Sequence, residues 1–424
     1  MVIQSIEDRR YKSYQVRIFI LCWLAYALIY FGRGNLAIAV NDLEVYFKSD
    51  KSTIGMLGSL FFWSYALGQL ISCAISDKIN SRIYIFVGVF ITGLCNLLFS
   101  FSNSMTVLMI LWTINGLSQS MLWGSIVKTS AYWFSPNQYT KVMVGLNTSM
   151  VLGYVMAWGG CGIVLKYLSW RSVFLIPGTI LIMFAILWAI FGREKPREAG
   201  FDIDLINIDY KNKENNQTKL KSKNTITYKT LFFTSGLLLV VIACIAQGMV
   251  KEGIGVWAPA MLTELYKVDM SSATSYVLLI PIMNLVGILL SGRLNSKLRG
   301  NEQITTVVLM IGTVVVLILM SIFASLWFGI GVIAMGICSG LMYGVNTMLL
   351  SVLPIRFAKY EKAAFVTGFL NFFSYIGAGV SATLAGFIMD RGLGCISVFV
   401  IWSAITVIAI IALTINIKRK NQEI

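Results

Sequence analysis

The chain has 424 residues, of which 57% are hydrophobic and 12% charged, with a mean hydropathy of +0.77 and a formal net charge of +15. A soluble domain of this length needs more polar surface, so the composition places the chain among integral membrane proteins. It contains no histidine, and it has no Walker-type phosphate loop, cysteine–histidine cluster or G-x-S-x-G elbow. Catalysis is therefore not expected, and neither is a cofactor or a metal.

Apolar windows of roughly 20 residues, each long enough to span hydrocarbon, recur twelve times. Their centres fall near residues 28, 65, 92, 120, 155, 182, 247, 283, 313, 338, 376 and 406. Most of the 34 Lys and Arg residues lie in alternate connecting segments, and the positive-inside bias then puts both termini in the cytoplasm of a multi-pass cell-membrane protein. Topology accounts for the basic charge, so a nucleic-acid surface is not expected and membrane lipids are the surrounding partner. The seven cysteines (22, 73, 95, 161, 244, 338 and 395) show no metal or disulfide spacing and are expected to pack.

In the first span, "YALIYFGRGN" (26–35) puts Arg33 inside an apolar helix expected over about Val16 to Val40. A guanidinium near a helix centre costs about 2.5–3.5 kcal/mol on insertion scales, so a compensating function or partner is expected. Tyr26, Tyr30 and Arg33 lie at i, i+4 and i+7, on one helical face. Two phenols beside a planar, permanently charged fork suit an oxyanion. The competing reading has Arg33 snorkelling to an interface or pairing with an acid on another helix.

Further along, "GLSQSMLWG" (116–124) and "GICSGLMYG" (336–344) share glycines eight apart with an aromatic residue before the second. They lie in the fourth and tenth spans, which points to an internal repeat. Lys128 follows in the fourth span, nearer its cytoplasmic end, as a third intramembrane base. A polar, basic stretch after the sixth span reads as a linker. The expected division is an N-terminal six-helix bundle over 1–191, a cytoplasmic linker over 192–229 and a C-terminal bundle over 230–424. In the seventh span, "MVKEGIGVWAP" (249–259) places Lys251 and Glu252 at a depth comparable to Arg33. Sequential helical neighbours point about 100° apart, so this pair need not bond directly. Glu252 then acts either as an internal ion pair that holds a base until substrate arrives or as a proton-coupling carboxyl. Asn371 and Tyr375, at i and i+4 of the eleventh span, are weaker candidates for the same cavity.

The loop "CAISDKINSR" (73–82) resembles the major facilitator signature G-x-x-x-D-[RK]-x-G-[RK]-[RK] at Asp77, Lys78 and Arg82, with Cys73 and Asn80 in place of its glycines. That resemblance implies an all-α membrane protein of twelve transmembrane helices in two pseudo-symmetric six-helix halves, with this loop gating the conformational change. The first span also resembles the Tyr-x3-Tyr-x2-Arg-x-Asn pattern of the organophosphate:phosphate antiporters at Tyr26, Tyr30, Arg33 and Asn35. Similar segments contain Gly116, Trp123, Lys128 and Trp133 in the fourth span and Lys251, Trp257 and Pro259 in the seventh. Lys128 and Lys251 stand where the family carries arginine. Gln69 and Met150 stand where the glycerol-phosphate branch has lysine and histidine.

The resemblance implies a secondary transporter, functional as a monomer, that exchanges a phosphate ester for inorganic phosphate by alternating access. Arg33, Lys251, Tyr26, Tyr30, Lys128, Asn35, Trp123, Asn371 and Tyr375 would face the small anionic substrate. Substrate bridging Arg33 and Lys251 would draw the halves together, and the two bases, unpaired in an empty site, would resist that closure. Two alternatives are a proton-coupled transporter or exporter of carboxylates or other organic compounds, and a transporter-like sensor of sugar phosphate.

Overall fold

The computed structural model describes residues 2–75, 79–134, 136–201, 236–268, 273, 276–323, 328–360 and 363–422. Among them are twelve helices long and apolar enough to cross a membrane: Arg9–Phe47, Lys51–Ser72, Ser81–Phe101, Met105–Ser130, Thr148–Tyr167, Trp170–Phe191, Leu237–Tyr266, Leu279–Lys297, Glu302–Phe323, Gly329–Val352, Phe365–Asp390 and Gly394–Arg419. The protein is all-α and multi-pass, as its composition leads one to expect. Residues 202–235, most of the expected linker, lie outside the described residues, as do Asp77 and Lys78 of the signature loop.

Helix pairing repeats with a period of six spans. The first span packs on the fifth, the second on the fourth and the third on the sixth. The seventh packs on the eleventh, the eighth on the tenth and the ninth on the twelfth. Small residues permit the closest of these crossings. A Cβ on Gly116 would lie 2.3 Å from the Phe61 carbonyl oxygen, joining fourth span to second. A Cβ on Gly287 would lie 1.9 Å from the Gly340 carbonyl oxygen, joining eighth span to tenth. Gly116 and its repeat counterpart Gly336, whose Cβ would lie 3.0 Å from Met283 Cγ of the eighth span, thus sit in equivalent crossings of the two halves.

Contacts between the halves are unequal. The second and eleventh spans pack against each other along much of their length. Their symmetry counterparts, the fifth and eighth, are parted by a cavity of about 90 Å3 lined by Thr148, Val151, Tyr154, Asn284, Leu285 and Leu289. Polar contacts between the halves run inward from the face opposite the termini. There Lys51 Nζ pairs with Glu264 at 2.7 Å, and Asn41 donates to Thr263 at 3.3 Å. Asp390 accepts from the backbone amides of Lys51 and Ser52 at 2.8 and 2.7 Å. Ser59 Oγ donates to the Gly379 carbonyl oxygen and lies 2.6 Å from Thr383 Oγ1, and Asn371 donates to Gln69 at 2.9 Å.

Asp390 therefore caps the first turn of the second span from the opposite half. Loss of a helix cap costs about 1 kcal/mol, equivalent to roughly a fivefold change in an equilibrium. Asp390→Ala is expected to raise by about fivefold the rate at which a cysteine placed at position 59 reacts with an aqueous thiol reagent. An unchanged labelling rate would show that this cap does not hold the face closed.

Candidate functional site

Arg33 lies in the last turn of a helix that stops at Gly34, and a second helix begins at Leu36. Asn35 between them keeps right-handed helical backbone, so the first span runs on as one helix through Val40 to Phe47, with helical hydrogen bonding relaxed only at that residue. Side-chain amides bond the backbone there. The amides of Asn96 and Asn115 donate to the Gly32 carbonyl oxygen at 3.1 and 3.3 Å. Asn35 donates to Asn96 Oδ1 at 2.8 Å and to the Val173 carbonyl oxygen at 3.1 Å. Side-chain amides thus add hydrogen bonds to a backbone carbonyl at membrane depth, where hydrocarbon supplies none. They also fix the position from which Arg33 projects.

Glu252 stands between the two bases. One carboxylate oxygen accepts from Arg33 Nη2 at 3.1 Å, and the other lies 3.0 Å from Lys251 Nζ. All three residues are 8% exposed or less, so the bridge is sealed from bulk solvent. The neighbouring residues Lys251 and Glu252 do pair directly, which the helical-offset argument did not require. The long lysine chain swings back to the carboxylate, and Asn346 Oδ1 holds its ammonium from the other side at 3.3 Å. Gln247 donates to the same Asn346 oxygen at 3.1 Å and accepts from Ser374 at 2.8 Å. The two bases are therefore not left unpaired against each other.

Aromatic rings enclose this charge. The guanidinium carbon of Arg33 lies 5.1–5.6 Å from the ring centres of Tyr30, Phe61, Phe62, Tyr65 and Tyr375. Lys251 Nζ lies 5.2 Å from the Tyr343 ring and 5.8 Å from the Tyr375 ring. Each desolvated cation–ring contact contributes on the order of 1–2 kcal/mol. The rings thereby offset part of the cost of burying two bases with one acid.

The expected site residues divide into two groups. Tyr26, Tyr30, Trp123 and Tyr375 lie with Arg33 and Lys251: Tyr26 is 5.3 Å from Tyr30 and 4.7 Å from Trp123, and Tyr375 faces both bases. Asn371 lies at the seam between the halves, bonded to Gln69, which in turn donates to Tyr65 at 2.8 Å. Two other candidates are placed elsewhere. Asn35 is turned into the first half, where it ties three helices together. Lys128 pairs with Glu194 at 3.0 Å and donates to the Ile79 carbonyl oxygen at 3.0 Å, beside the polar segment that follows the sixth span. Arg82 donates to the Ala189 carbonyl oxygen and links third span to sixth.

Sequence reading passed over Phe61, Phe62, Tyr65, Tyr154 and Tyr343. Their spacing contains a signal for several of them. Phe61, Tyr65 and Gln69 recur every four residues of the second span. Tyr343 and Trp123 are the matching aromatics of the tenth- and fourth-span repeat; Tyr343 lies against Lys251, and Trp123 packs on Tyr26. Tyr154 sits where the fifth-span α-helix gives way to a π-helical turn at Val155–Gly160 and lies 5.1 Å from Tyr30. π-turns within helices frequently mark functional positions.

A cavity of about 30 Å3 adjoins Arg33 and Glu252, bounded by Leu36, Phe62, Trp112 and Tyr154. At about 10–15 Å3 per water it holds a water or two, not an organic ester. In this conformation the bridging carboxylate occupies the position between the bases that an oxyanion would need.

Residues 22–382 match the Major Facilitator Superfamily. The chain belongs to that superfamily. It is 26% identical over 435 residues to the glycerol-3-phosphate transporter of Bacillus subtilis, covering 98% of this chain and 96% of that protein. It is 23% identical over 402 residues to a probable hexose phosphate transport protein of Chlamydia pneumoniae, covering 92% and 87% of the two. The membrane sensor protein UhpC of Escherichia coli is 25% identical over 406 residues, covering 90% and 88%. These relatives match the organophosphate:phosphate antiporter resemblance read from the first span. The fold is also similar to an inward-facing, occupied crystal structure of a bacterial homologue of the human lysosomal transporter Spinster. The TM-score is 0.74 at 15% identity, covering 96% of this chain and 97% of that one.

Proposed function

We propose that the protein transports a phosphate ester and exchanges it for inorganic phosphate. The observation that carries this reading is a carboxylate held between one base from each half, in a site otherwise walled by aromatic rings. A phosphoryl group offers the same kind of acceptor to the same donors. The guanidinium fork carries five N–H donors and the ammonium three, more than Glu252 alone engages. Cargo enters the open site, takes bonds from Arg33 and Lys251, and replaces the contact that Glu252 makes across the halves. Closure then follows because the anion touches both halves, and the aromatic wall excludes water behind it.

Exchange follows from the charge left behind. Two bases and one acid leave one positive charge in excess when the site is empty, and burying an uncompensated charge is costly. Return with a counter-anion is favoured over return empty. The glycerol-3-phosphate and hexose phosphate relatives support phosphate esters as the cargo class, whereas UhpC supports a sensor that binds without carrying.

Counterflow separates the two. Vesicles containing the protein and loaded with inorganic phosphate are expected to take up labelled phosphate, and external hexose or glycerol phosphate is expected to inhibit that uptake. Equal uptake into vesicles with no internal anion would replace exchange by uniport. Binding without flux would assign a sensor.

A further inference from the structure

We propose that Glu252 sets the charge of the cargo, so that the site selects an oxyanion of net charge minus one over a dianion. This inference rests on the phosphate-ester reading above and adds the protonation and charge class of the ester. Its basis is the fixed position of the carboxylate. Glu252 is 4% exposed, follows Lys251 directly on the seventh span and is tied to both bases. No rotation can carry it into bulk water while the halves are closed around it.

Cargo must therefore share the two bases with a resident acid. Arg33 and Lys251 supply two positive charges, and Glu252 cancels one. A bound monoanion brings the cluster to neutrality, as does a dianionic phosphoryl group whose molecule also carries an ammonium. A simple dianion leaves a surplus negative charge facing a carboxylate inside an aromatic enclosure, where like charges interact far more strongly than in water. Other described acids buried near helix ends are engaged elsewhere, Glu194 by Lys128 at 3.0 Å and Glu302 by Arg356 at 2.6 Å. Among the described residues, the other ionisable groups around the cluster are the phenols of Tyr26, Tyr30, Tyr65, Tyr154, Tyr343 and Tyr375, which add neither a base nor a carboxylate to it.

Matched sulfate and phosphate esters of one hexose test the idea, because both heads are tetrahedral and they differ in charge. At about pH 8 a phosphomonoester is a dianion, its second pKa being about 6, whereas a sulfate monoester stays singly charged. Binding to the full chain in lipid nanodiscs, measured by calorimetry, gives a ratio of affinities for the two esters without requiring transport. Glu252→Gln is expected to shift that ratio toward the phosphate ester by about tenfold or more, through removal of the opposing charge. Glu252→Asp is expected to keep the wild-type ratio. Phosphate exchange with a ratio unchanged in Glu252→Gln would overturn the charge-selection proposal alone. Absence of both phosphate exchange and ester binding in the wild type would overturn the phosphate-ester reading, and this proposal with it.

Discussion

Arg33→Ala is expected to lower phosphate counterflow by about thirtyfold or more, since truncating one partner of a buried, hydrogen-bonded charge pair costs about 2–5 kcal/mol. Among the described residues, Arg33 is the base that the first half contributes to the cluster around Glu252. Without it the carboxylate remains bonded to Lys251, and cargo meets a cluster with no excess positive charge. It also loses its hold on the first half, so binding no longer pulls the halves together. Arg33→Lys keeps the charge but loses the planar fork and part of its contact with five rings. An intermediate loss of about tenfold is expected, because lysine and arginine are not interchangeable at stacked, multidentate sites. Initial rates in vesicles, normalised to inserted protein, check both. Counterflow within twofold of wild type in Arg33→Ala would remove Arg33 from the transport site.

Gly287→Val, away from the charged cluster, is expected to be strongly damaging. The added Cβ would meet the Gly340 carbonyl oxygen at 1.9 Å, with the Gly340 carbonyl carbon at 2.3 Å. Neither atom belongs to a flexible side chain, so relief requires the eighth and tenth spans to separate. Overpacking typically costs about 1–3 kcal/mol and more where backbone must move. The expected result is a marked drop in the temperature at which the detergent-solubilised protein loses its monodisperse size-exclusion peak. Gly292→Val, on the same span with nothing within 4 Å of the added Cβ, is the matched control and is expected to behave as wild type. Equal melting of the two variants would mean that the crossing tolerates separation.

Spans and repeat were legible in the sequence because membrane-length apolar windows and glycine spacing are local signals. The Tyr26–Tyr30–Arg33 stripe was legible for the same reason: helical periodicity decides which residues share a face. Its counterpart Lys251 could be placed by comparing the halves. An ion pair at Glu252 was among the readings the sequence allowed, but not that one carboxylate holds both bases at once, since Arg33 is 219 residues distant and only the docking of the two halves brings them together. The amides that bond the Gly32 carbonyl oxygen beside Arg33 were hidden too, because Asn96 and Asn115 lie on other helices. Asn35 and Lys128 show the opposite difficulty. Each matches a pattern by residue type, yet a neighbour invisible to local sequence turns it elsewhere: Asn96 for one and Glu194 for the other.

The Asp390 cap ties contact between the halves at the face opposite the termini to the start of a helix. Its two acceptor oxygens bond backbone amides in the first turn of the second span, and those amides belong to the other half of the molecule. When the halves part at that face, the turn loses its cap and its first amides pass to water, so the helix end should fray. The amide protons of Lys51 and Ser52 thus become a clock for the transport cycle. Their exchange with solvent deuterium measures the fraction of time spent open to that side, and a cargo that stabilises the opposite opening should slow it without touching either residue.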